Sequence, residues 1–151
     1  MKFRLFFHYI SYLQYPIMLI GLYFAFRPFL GSFTSKEAFI DFYLYNLNYV
    51  LLLLGLGMSF STFQDTTKTQ NKVSRIVWES PRKGKVFITL IFCIVVILLT
   101  VGLVLYFGTG DSRLQDISVG IIVLGIGQMS VLKTAIEMFE HHRKDRIKIQ
   151  E

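Results

Sequence analysis

Apolar residues fall in four blocks, at residues 9–26, 43–63, 86–107 and 117–136, and polar residues gather between them. A bilayer core about 30 Å thick is crossed by roughly 20 helical residues, and each block has that length. Membrane β-strands are shorter and alternate polar with apolar positions. The runs 50–56 and 90–99 are continuously apolar instead. In lipid a helix satisfies its own backbone. The pattern predicts an all-α integral membrane protein, a single domain over 1–151 whose four transmembrane helices pack as a bundle.

The first and third connecting segments are short. Arg27 and Pro28 end the first span, because a proline disfavours helix at the residue before it. Ser35 is placed to cap the second helix, with Glu37 and Asp41 in its first turns where the macrodipole favours acids. Gly108, Gly110 and Asp111 mark a turn within 108–115. In the long loop 64–85, Val73, Ile76, Val77 and Trp78 recur at helical spacing among basic residues. This predicts a short amphipathic helix at the membrane surface, with Trp78 anchoring it at headgroup depth. A partner-docking surface is the alternative reading. Pro81 suits the first position of the third span. The tail 137–151 lacks Gly and Pro, so the fourth helix is expected to run on through it.

Composition agrees: 53% of residues are hydrophobic and 17% charged, and mean hydropathy is +0.50. Charge adds orientation. Thirteen of the sixteen Lys and Arg residues lie at the N-terminus, in the second loop or in the fourth-helix end and tail; the others are Arg27, Lys36 and Arg113. The positive-inside rule puts both termini in the cytoplasm, in a multi-pass protein of a cytoplasmic (inner) membrane. Such a bias disfavours proteins that insert both ways. The net charge of +6 then reads as contact with anionic lipid headgroups rather than nucleic acid. The first span is too long and aromatic for a cleaved signal and ends without a small-residue site.

Small and polar residues recur along single faces. Asn48, Gly55 and Thr62 follow every seven residues, with Ser59 four after Gly55. Gly120, Gly127, Thr134 and His141 do the same, with Ser130 three after Gly127. Thr89, Cys93, Val96 and Thr100 line the third span, and Gln14, Gly21 and Ala25 the first. Such faces pack against other helices, and sevenfold spacing implies near-parallel packing. The four helices are expected to pack along these stripes, the second and fourth closest; the alternative is that one stripe serves a partner protein. Cys93, the only cysteine, excludes an internal disulfide and reads as a buried thiol.

Two groups invite chemistry. Gln128, near mid-membrane, fits an interhelical hydrogen bond. Lys133, Glu137, His141 and Asp145 share a helix face at four-residue steps. Glu137 with His141 offers half a metal site or a proton relay, but a solvated, salt-bridged face suits that end of the helix better. His141 and His142 diverge by about 100° and cannot chelate together. No acid lies mid-span, which counts against a self-contained ion-coupled carrier. Nothing marks a catalytic, cofactor or metal site. The sequence predicts a non-catalytic subunit or assembly factor in a larger membrane complex; the alternative is a small homo-oligomeric channel or transporter.

Overall fold

The computed structural model describes residues 2–64 and 72–143. Among these the chain is helical throughout: α1 (Lys2–Ser11), α2 (Gln14–Phe26), α3 (Lys36–Ser61), α4 (Lys72–Glu79), α5 (Pro81–Gly108) and α6 (Ser112–His142), with a 3₁₀ turn at Arg27–Phe29 after α2. Four stretches are long and apolar enough to cross a membrane: Phe6–Phe29, Lys36–Ser61, Pro81–Gly108 and Ser112–His142. Their surfaces remain apolar on the outside. Phe107 and Leu30 are each 80% exposed, which water would penalise and lipid would not.

The first span is broken, contrary to the continuous helix expected. The reason is Pro16. It has no N–H, and its ring would collide with the Tyr12 carbonyl in an unbroken helix. The chain answers with a tight turn. Tyr12 N–H donates to Tyr9 O at 3.1 Å, Leu13 to Ile10 at 3.0 Å and Tyr15 to Tyr12 at 3.1 Å. α2 then starts afresh at Gln14, which leaves Pro16 in a first turn, where its missing donor costs nothing.

Other boundaries follow local chemistry. The Ser35 side chain caps α3, accepting from Ala38 N–H at 3.2 Å. Pro81 opens α5. Asp111 caps α6, accepting from Arg113 N–H at 2.9 Å. α6 therefore begins at Ser112, inside the stretch expected to be loop. It ends at His142, because Arg143 is extended (φ −66°, ψ 129°). The rest of the tail expected to be helical lies outside the described residues.

The spans pack as an open row, α2–α3–α6–α5. α2 runs antiparallel to α3: Gly21 lies against Leu53, and Gly57 against Met18. α5 runs antiparallel to α6: Gly102 lies against Ile122, and Gly125 against Leu99. Each hairpin thus seats one glycine of each helix on a side chain of the other. Each also follows a short helix, α1 or α4. α3 and α6 run parallel at the centre, Asn48 beside Gly120 and Gly55 beside Gly127. Among the described residues no comparable packing joins α2 to α5 or α6, or α3 to α5. The apolar core is small. It sits between α4, α5 and α6, where Trp78, Ile91, Val95, Ala135 and Phe139 are buried together.

Candidate functional site

Polar groups gather at the α3–α6 seam and at the two ends of the helices. The seam is closest at Gly55 and Gly127. A methyl group on Gly55 would lie 2.6 Å from the Val123 carbonyl oxygen, and one on Gly127 would overlap the Gly55 carbonyl. Backbone meets backbone here. The neighbouring hydroxyls do not bridge the helices. Ser59 donates to Gly55 O at 3.0 Å, Thr62 to Ser59 O at 2.7 Å and Thr134 to Ser130 O at 3.2 Å; Ser130 leans toward Ile126 O at 3.5 Å. Each satisfies itself within its own helix.

The amides differ. The half-buried Gln128 has no hydrogen-bond partner among the described residues, so the interhelical bond expected of it is not made. Asn48 Oδ1 is buried beside Gly120 without a partner. On α2, Gln14 and Gly21 are buried and Ala25 is half-buried.

The most buried amide is Asn46, at 1% exposure, which the sequence pattern does not single out. Its Nδ2 donates to Phe42 O at 2.6 Å, and its Oδ1 is buried without a partner. α3 is flanked by α2 and α6, so residues two apart are both covered. One helical stripe finds only one of them. An orphan buried acceptor costs about 1–3 kcal/mol. Asn46→Leu should therefore raise the thermal unfolding temperature of the purified protein, by the equivalent of about 1 kcal/mol. A lowered temperature would show that Oδ1 has a partner in the membrane.

α5 turns the face expected to pack outward. Cys93 is exposed, as are Thr89, Val96 and Thr100. The buried face is Gly84, Ile91, Val95 and Gly102. Glycines admit α6 more closely than threonine and cysteine do, and close packing drives helix association in lipid.

At the end where α3 and α6 begin, Arg113 Nη1 meets Asp41 Oδ1 at 2.7 Å and Arg27 stacks over Phe42 at 5.1 Å. At the other, basic end, α4 packs against α5 and α6. Trp78 is 6% exposed and packs edge-on against Phe87, centroids 5.4 Å apart. Gly84 lets the Phe139 ring lie against α5. Arg75 pairs with Glu79, a hydrogen bond that raises the Arg75 pKa.

Of the polar stripe, Lys133 reaches Glu137 at 3.6 Å, and His141 is exposed. Asp145 lies outside the described residues. Arg143 meets Glu140 at 3.3 Å. His142 Nδ1 sits 2.9 Å from Met138 O. Among the described residues no three His, Cys, Asp or Glu side chains come together as metal ligands.

No family model, curated protein or solved structure matches this chain.

Proposed function

We propose that the protein is a non-catalytic integral membrane subunit or assembly factor of a larger membrane complex, held in it by helix faces. The open row carries this reading. A four-span protein that worked alone would gain by closing its helices on one another, since only packing and polar contacts hold helices together in lipid. Here α2 and α5 each pack on one neighbouring span. α5 also presents Thr89, Cys93, Val96 and Thr100 outward, residue types that suit a helix neighbour better than acyl chains. In this reading both ends of the chain and the α3–α5 loop face the cytoplasm.

The unpaired amides Asn48 and Gln128 favour a second reading, a homo-oligomeric channel with these groups at a pore. Both readings face one experiment. Full-length tagged protein, expressed at native level, is extracted in mild detergent, and co-eluting proteins are identified by mass spectrometry. A larger membrane protein in stoichiometric amount is expected. A pure homo-oligomer that passes ions in liposomes would replace the first reading with the second.

A further inference from the structure

We propose that the first turn of α5 is a binding face for anionic phospholipid, with the headgroup phosphate held by Arg82, Lys83 and Lys85. The proposal requires only that the four helices span a bilayer. All three cations are exposed, and none has a carboxylate partner among the described residues. The acids described at this end are already engaged: Glu79 with Arg75, Glu137 with Lys133 and Glu140 with Arg143. No acid occupies the first turn of α5, and Ser80 gives it no side-chain cap. Cations at a helix start are opposed by the macrodipole, so the charge of these three is offset neither by the helix nor by an acid among the described residues.

What lies beneath identifies the anion's carrier. Val86, Phe87 and Leu90 follow directly and are 61%, 42% and 57% exposed. Val86 lies one turn below Arg82 and Lys83, Phe87 one turn below Lys83, and Leu90 two turns below both, while Lys85 shares its face with Arg82. A phosphate above and acyl chains below match that order, cation over hydrocarbon, and a soluble phosphate has no use for the lower half. Anionic headgroups attract such residues over a Debye length.

Trp78, the only tryptophan, packs on Phe87 and reports from the site. Full-length protein is placed in phosphatidylcholine vesicles containing a minor fraction of chain-brominated phosphatidylglycerol, or the same fraction of brominated phosphatidylcholine. Quenching of Trp78 should reveal local enrichment of the anionic lipid, on the order of fivefold per basic residue. High salt should erase it. The triple substitution R82Q/K83Q/K85Q should erase it as well, while K133Q leaves it in place. Equal quenching by the two lipids in the unmodified protein overturns the proposal, whether or not the triple variant folds. So does a preference that survives the triple substitution. Displacement by soluble glycerophosphate would assign the face to a free anion instead, and displacement by an acidic peptide to a protein segment.

Discussion

Gly127→Ile should separate α3 from α6 and cost about 3 kcal/mol or more, at the upper end of what overpacking costs. The first added carbon already overlaps the Gly55 carbonyl, and the Gly55 Cα and carbonyl carbon lie within 2.9 Å of it. Backbone atoms have no rotamer to move into, so the helices themselves must part. Gly55→Ile should behave alike, since its neighbours are the Val123 carbonyl and the Leu124 Cα. Gly108→Ala is the control: nothing lies within 4 Å of a carbon added there. Thermal unfolding and size-exclusion profiles in detergent should show both seam variants destabilised and the control little changed. Unchanged folding in both seam variants would refute the contact.

Trp78→Ala should cost about 3–5 kcal/mol locally, the range for truncating a buried aromatic residue, and release α4 from the row. The ring is packed with Ile91, Val95, Ala135 and Phe139, so its loss opens a hole between three helices. The seam at Gly55 and Gly127 lies elsewhere and should hold. Limited proteolysis near α4, read beside the unfolding temperature of the whole, separates the two effects. Trp78→Phe should retain most of the protection. If Trp78→Ala left α4 as protected as before, Trp78 would be a surface anchor and not a packing residue.

The spans were legible because each is a long apolar segment. Ser35 and Pro81 were legible too, because capping is decided within a few residues. The break at Pro16 was not. A proline inside a helix and one in its first turn differ only in where the helix starts, and the apolar pattern continues across both. α5 shows why packing faces are harder. It carries two candidate faces, Thr89 to Thr100 and Gly84 to Gly102, and periodicity does not choose between them. Only the approach of α6 distinguishes them. α4 has the same difficulty, since a helix lying on lipid and one lying on two helices need the same amphipathic pattern. Phe139, opposite Gly84, decides between them from more than fifty residues away. Asn46 was missed because a helix covered on two sides has no single buried stripe.

The parallel course of α3 and α6 has an electrical consequence. Each helix carries about half an elementary charge of opposite sign at its two ends, so the central pair alone would present two aligned dipoles to the membrane field. α2 and α5, flanking them and running the other way, oppose both. Two dipoles point each way across the bilayer and largely cancel. A change in transmembrane voltage therefore finds little to act on in the backbone of this protein.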